Sequence, residues 1–397
     1  MIRSVIAASG SHIPERIVPN EHFLGHDFRD ASRKTLDKSN EDILRQFEAI
    51  TGIRERRYAP DSMVTTDLAA DAAQQAIESS GTDPESLDGI IVAHNFGDVR
   101  PRSTHTDMVP SLAARVKARL GIRNPYAPAW DLVFGCPGWL QGVIVADSLI
   151  RAGDAKRVMV IGADTLSRIS DPHDRDSLIY ADGAGAVIME ARETHAGILS
   201  HAVRSDALDY SNMLFMGSSY HPEAFLESLF LKMEGRKLYK YALNTVAGAM
   251  KEALMRAGLE ARDIKKVLIH QANGKMDEAI LAAFYNLYGI DEPPQDVMPM
   301  TISWLGNSSV ATVPTLFDLI VKGKMPEHSF ASGDIVVFAS VGAGMHINAL
   351  SDFSIFNFQF SISYRGQHPT SRMPRPPTGV PSHHRHFQLA QRVAKAR

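Results

Sequence analysis

Apolar residues along the chain fall into two recurring patterns, and the order of those patterns repeats. From residue 67 the chain runs D-L-A-A-D-A-A-Q-Q-A-I-E-S-S-G, with apolar positions at helical spacing, then an acidic turn and the run G-I-I-V-A-H-N. An amphipathic helix, a turn and a buried strand are predicted, ending near residue 96. Residues 242–273 repeat the plan, from A-L-N-T-V-A-G-A-M-K-E-A-L-M-R-A-G to K-K-V-L-I-H-Q-A-N. In D-L-V-F-G-C-P-G-W-L-Q-G, Cys136 stands where a strand gives way to a buried helix, and the strand R-V-M-V-I-G-A-D follows. In W-L-G-N-S-S-V-A-T-V-P-T-L-F-D-L-I, Asn307 holds the corresponding place, followed by D-I-V-V-F-A-S-V-G-A-G. Continuous Val/Ile runs alternating with helices mark parallel strands covered on both faces. The expectation is an α/β chain of two similar halves, residues 1–195 and 196–350, each delivering functional groups from strand ends and helix starts.

Beyond residue 350 the texture changes. An apolar stretch from Ser351 to Tyr364 leads into R-G-Q-H-P-T-S-R-M-P-R-P-P-T-G-V-P-S-H-H-R-H, rich in Pro, Ser, Arg and His and free of acidic residues. Residues 351–397 are expected to be a largely disordered basic extension, with a metal site at His383, His384 and His386 as the competing reading.

Composition narrows the function classes. A chain of 397 residues is longer than one core usually organises, which fits a duplication. Hydrophobic content of 44%, charged content of 22% and a net charge of −3 describe a globular protein with no basic excess for nucleic acid. The single cysteine precludes an internal disulfide and suits a reducing cytoplasm. The apolar run at the N-terminus is too short for a signal peptide, and no stretch approaches the roughly 18 apolar residues of a membrane span. Gly138, Gly142 and Ala146 read as small residues that let two buried helices approach.

The thiol is the first candidate for chemistry. A cysteine at a helix start meets backbone N–H groups and the helix dipole, which favour the thiolate; the alternative is a small buried hydrophobe. His270 is a strand-end histidine, either functional or a satisfied core residue. Asn307 follows a glycine and would equally serve as turn chemistry. Gly183 and Gly185 in D-G-A-G-A lack phosphate-loop spacing and read as close packing.

Taken together, Cys136, H-Q-A-N at His270 to Asn273, G-N-S-S at Gly306 to Ser309 and D-G-A-G-A at Asp182 to Ala186 resemble the ketoacyl-ACP synthase III family of the thiolase superfamily. The likeness runs from about residue 5 to about residue 350. It implies a thiolase-like five-layered αβαβα fold of two duplicated halves and a homodimer, with nucleophile, His and Asn at Cys136, His270 and Asn307. It also implies an acyltransferase that joins an acyl thioester primer to a malonyl thioester with loss of carbon dioxide. Acyl-CoA or acyl-ACP and malonyl-ACP would be substrates, acyl carrier protein a partner, and no further cofactor or metal would be needed.

Such chemistry needs a thiolate to carry the acyl group, donors for an enolate, and an oxyanion hole for the tetrahedral intermediate. The helix start and a neighbouring imidazole are expected to lower the Cys136 pKa. The backbone N–H groups of Cys136 and Ala343 are the expected hole, with Gly342 and Gly344 permitting close approach. By the resemblance, Arg175 contacts the nucleotide end of coenzyme A, or else forms a surface pair with Asp174 or Asp176. Lys275 would serve carrier docking, and Arg54, Arg56 and Arg57 would add charge at the entrance. Val109 replaces a bulky aromatic that closes the acyl pocket from the partner subunit, leaving room for a longer or branched primer. The sequence departs from the family at Gln46 and Ile50, where relatives grip adenine, and lacks a lysine pair after Lys275. Non-decarboxylative coupling of two acyl-CoA chains would need an acid near the thiol; there is no Glu between Glu85 and Glu190, leaving Asp107. An inactive homologue acting as a binding partner is the remaining alternative.

Overall fold

The computed structural model of the protein describes residues 1–225 and 227–353. Among the described residues two sheets carry the architecture. The first is drawn from β1 (Ile2–His12), β2 (Gly89–His94), β3 (Ala129–Val133), β4 (Arg157–Thr165) and β5 (Asp182–Glu193), in the order β1-β5-β4-β2-β3. The second is drawn from β6 (Gly197–Ser205), β7 (Ile264–Ile269), β8 (Ile335–Gly342) and β9 (His346–Phe353), in the order β6-β9-β8-β7. The same plan underlies both: two antiparallel strands at one edge, then parallel neighbours, with β4 parallel to β2 and β8 parallel to β7. The sheets are therefore mixed where uniformly parallel strands were expected. Burial on both faces gives β5 the apolar run of a parallel strand although it pairs antiparallel with β1 and β4.

Helices complete five layers. The outer helices α1 (Thr65–Ser80) and α2 (Leu112–Arg119) cover the first sheet, and α4 (Gly235–Ala257) and α5 (Gly274–Asn286) the second. Between the sheets lie α3 (Gly138–Ala152) and α6 (Thr312–Val321), apolar nearly all round as a central layer must be. Each outer repeat keeps its expected helix–turn–strand form: Asp83 caps the turn before β2, and Asp263 bonds back to Glu260 before β7. The small residues of α3 serve a different purpose from the one expected. A Cβ on Gly142 would lie 2.7 Å from Val160, so they seat the helix on the sheet and not on another helix. Gly185 admits α6, since a Cβ there would meet Pro314 at 2.7 Å. The last strand runs on to Phe353, three residues into the segment expected to be extension; the rest of that segment, with His383, His384 and His386, lies outside the described residues. No described helix is long and apolar enough to cross a membrane.

Candidate active site

Cys136 follows β3 by three residues and precedes the first residue of α3 by two. Two glycines bring the chain of the other half against it. A Cβ on Gly342 would lie 2.6 Å from the Cys136 nitrogen, and one on Gly135, which sits at φ +71°, 2.8 Å from the Ala343 nitrogen. The Cys136 and Ala343 amides are thus held side by side, a placement only glycine neighbours permit. Gly344 turns the chain at φ +76° beside His346.

His270 is the residue after β7, and its N–H donates to the Ala339 carbonyl at 2.8 Å. The neighbouring Gln271 is fully buried and ties this strand end to the segment 299–302, while Asn273 caps α5 through Met276 N–H at 3.1 Å. That segment leads through a short helix (Ile302–Leu305) to Gly306 and Asn307. Gly306 sits at φ +69°, and a Cβ there would press on Arg56 and Ala181. Asn307 is locked by its backbone to Ile179 and Ala181, and its Oδ1 accepts the Ser309 N–H at 2.8 Å. This leaves Nδ2 as the donor end of the amide, free among the described residues.

Cys136, His270, Asn307 and Ala343 line one cavity of about 720 Å³, together with Asn95, Tyr180 and Ser309. Sequence reasoning singled out the first four and gave no role to the other three: Ser309 lies in the G-N-S-S motif but only Asn307 was read from it, and Asn95 and Tyr180 belong to no motif. Ser309 Oγ donates to the Cys136 sulfur at 3.3 Å. Burial pushes the Cys136 thiol up to about 11, and the nearby Asp164 carboxylate pushes the same way, against the Ser309 hydrogen bond. The expected depression of the thiol is thus reversed: the thiol is only half-exposed within an apolar cavity, and desolvation outweighs the helix start. Burial likewise holds His270 down to about 4, so its imidazole is neutral at pH 7, with Nδ1 buried and without a hydrogen-bond partner among the described residues.

The cavity walls are mostly apolar and its mouth is cationic. Ile43, Phe47, Leu166, Leu231 and Met233 contribute to the walls; Lys38, Arg175, Arg236, Lys237 and Lys240 line the rim. Arg175 is half-exposed and lines the cavity, and it lies 3.7 Å from Asp176, the surface pair expected as the alternative. Gln46 and Ile50 also reach the cavity. Arg56, expected at the entrance, is instead fully buried: it donates to the Val18 carbonyl and Asn20 Oδ1 and lies over the Phe23 and Phe47 rings. Arg54, Arg57 and Lys275 do not line the cavity, and Lys275 is exposed. Nor does Val109, which is 87% exposed. Asp107 is exposed and paired with Arg115 at 2.6 Å, away from the thiol.

The layering, the duplicated halves and the cavity between their strand ends define a condensing enzyme of the thiolase fold. The family description 3-oxoacyl-[acyl-carrier-protein] synthase III matches residues 130–207, and its C-terminal counterpart matches 254–351. A beta-ketoacyl-[acyl-carrier-protein] synthase III of Erythrobacter litoralis is 35% identical over 348 residues, covering 87% of this chain and 97% of the relative. The solved beta-ketoacyl-[acyl-carrier-protein] synthase III of Thermus thermophilus superposes with a TM-score of 0.72 at 30% identity, over 88% of this chain and 99% of that one. The priming beta-ketosynthase of the R1128 polyketide pathway gives the same TM-score at 25% identity, over 88% and 96%. The chain belongs to the 3-oxoacyl-[acyl-carrier-protein] synthase III family, whose members are acyltransferases.

Proposed function

We propose that the protein joins an acyl thioester primer to malonyl-ACP by decarboxylative Claisen condensation, through an acyl group held on Cys136. The observation that carries this reading is the convergence of one thiol, one neutral imidazole, one free amide donor and two adjacent backbone amides on a single apolar cavity. In the first half-reaction the Cys136 sulfur attacks the primer carbonyl. The bond to the carrier sulfur breaks, and the Cys136 proton leaves with the carrier thiol. The Cys136 and Ala343 N–H groups meet the oxyanion. In the second, malonyl loses carbon dioxide and its electron pair passes into an enolate. His270 and Asn307 Nδ2 then donate to the enolate oxygen. The carbanion attacks the acyl carbonyl and the Cys136 thiolate departs. A neutral imidazole suits this role, because it donates without releasing its proton to the enolate. One such donor is worth about 3 to 4 kcal/mol in a dry site.

The absence of Glu between Glu85 and Glu190 and the surface pairing of Asp107 favour decarboxylative chemistry over coupling of two acyl-CoA chains. Cationic groups at the rim suit the phosphate of a pantetheine arm or an acidic carrier protein, with Arg175 among them and Lys275 on the exposed surface close in sequence to His270. A homodimer fits the first sheet, which ends at β3 with Val133 62% exposed on an edge that no other described strand pairs. In that reading Val109 acts on the partner's acyl pocket, and its modest size suits primers longer than acetyl. The test is intact-mass measurement after incubation with a panel of acyl thioesters. Loading on the wild type and its loss in Cys136→Ala are expected, with Asn307→Ala loading normally and failing with malonyl-ACP. An Asn307→Ala protein that loses loading alone would overturn the assignment.

A further inference from the structure

Two neighbouring strands of the first half send polar groups to the sulfur's side of the cavity. Asn95 follows β2 directly, and Asp164 lies near the end of β4, its parallel neighbour. The Asn95 N–H donates to Asp164 Oδ1 at 2.9 Å, and Asn95 Nδ2 donates to Asp164 Oδ2 at 2.6 Å. The same Nδ2 donates to Ser309 Oγ at 2.8 Å, and Ser309 in turn faces the Cys136 sulfur at 3.3 Å. Ser309 sits at φ +54°, a left-handed backbone that few side chains adopt, and its N–H is held by Asn307 Oδ1 at 2.8 Å.

We infer that Ser309 is a further catalytic residue, and that Asn95 and Asp164 are positioning residues that fix its hydroxyl as a donor to the Cys136 sulfur. A serine hydroxyl has one proton and can turn it in several directions. The Asn95 amide hydrogens occupy both Ser309 Oγ and Asp164 Oδ2, so of the two acceptors near the hydroxyl proton, the Asp164 carboxylate and the sulfur, the sulfur is the one left without another donor. Asp164 sets the amide the right way round: a reversed Asn95 would aim its carbonyl oxygen at the carboxylate. A hydroxyl aimed at sulfur stabilises thiolate over thiol. The charge of Asp164 acts in the opposite sense, so its benefit runs through Asn95 and not through its own field. The inference rests on Cys136 being the acyl carrier, since only then does thiolate formation govern turnover.

Cys136 is the chain's one cysteine, so alkylation by iodoacetamide reads it alone. The midpoint of the alkylation rate against pH reports thiolate formation in the full chain without any substrate. Tyr180 lies near enough to interact with the sulfur and His270 lines the same cavity, and both stay unchanged in every variant. Ser309→Ala and Asn95→Ala are expected to raise the midpoint by about one pH unit each. Asn95→Leu, close to isosteric, should do the same if the alanine variant folds poorly. In Ser309→Ala the added Asn95→Ala change should shift nothing further, whereas a merely structural Asn95 would shift both backgrounds alike. Asp164→Ala should move the midpoint further down without Ser309 than with it. Unchanged profiles in the Asn95 variants, or additive shifts, would overturn the proposal. Acyl loading is scored separately by intact mass, so its loss in the wild type would bear on the proposed reaction alone.

Discussion

Gln271 Oε1 accepts the backbone N–H of Thr301 at 2.8 Å, joining the strand end that carries His270 to the segment that leads to Asn307. The same oxygen accepts the Ile302 N–H at 3.0 Å, and Nε2 donates to the Pro299 carbonyl at 2.8 Å, so the side chain mimics a strand partner. Two donors proposed to act on one enolate oxygen are thus held in fixed relation by the side chain next to one of them. Gln271→Ala is expected to slow condensation with malonyl-ACP more than acyl loading, and to cost about 1 to 3 kcal/mol of stability from the unpaired backbone groups it leaves. Denaturant titration and the two half-reactions, measured apart, check both statements. Equal losses in the half-reactions would mean that Gln271 does not act through the donor pair.

Gly342 makes a sharper prediction. A methyl group there would stand 2.6 Å from the Cys136 nitrogen and 2.9 Å from its Cβ, contacts that cannot be relieved without parting the two strands' ends. Gly342→Ala is expected to displace the Cys136 amide from its Ala343 neighbour and cut acyl loading by about 10²- to 10³-fold, the usual effect of losing one oxyanion donor. Stopped-flow or quenched loading assays read this directly. Loading at the wild-type rate would exclude these amides as the hole.

At the mouth, Arg236, Lys237 and Lys240 come from the first turns of α4, on the face that lines the cavity. Their charge should steer an acidic carrier and leave the chemistry untouched. Lys237→Glu is expected to raise KM for malonyl-ACP several-fold, more at low salt than at high, while kcat changes little and a short pantetheine thioester is turned over as before. A matched loss with both substrates would place Lys237 in the reaction itself.

How much of this was legible in the residues depends on the distance over which each feature is determined. The helix–turn–strand repeats are local, set by the period of apolar positions, and they put Cys136, His270 and Asn307 at strand ends and helix starts; that the three form one site came from the family resemblance. Mixed pairing was hidden because β5 is buried on both faces whichever way its neighbours run. The ionisation of Cys136 was misjudged because the helix start is local whereas the desolvation comes from residues far along the chain, such as Tyr180 and Leu166. Arg56 reads as surface charge until Phe23, Phe47 and the Val18 carbonyl enclose it. Asn95 and Ser309 stand 214 positions apart, one after a strand and the other in the turn before a helix, and nothing in their spacing announces their contact. Val109 is exposed and does not line the cavity, so the role the resemblance gives it would depend on the proposed second copy.

Asp352, in β9 between β6 and β8, bears on stability more than on catalysis. It is buried, its Oδ1 has no hydrogen-bond partner among the described residues, and burial, with the nearby Asp147 carboxylate, pushes its pKa up to about 7. Below about pH 4 the carboxyl is neutral in the folded and unfolded chains alike, and the charge penalty is absent. Between about pH 4 and 7 the unfolded chain ionises first, so the folded state loses ground as pH rises, and above 7 the penalty is complete. A neutral amide of the same shape would carry no such charge. Asp352→Asn is therefore expected to unfold at the same denaturant concentration as the wild type near pH 4 and to be more stable by about 2 to 4 kcal/mol at pH 8. Urea titrations at the two pH values check it, and a variant less stable at pH 8 would show that the ionised carboxylate has a partner worth more than its burial costs.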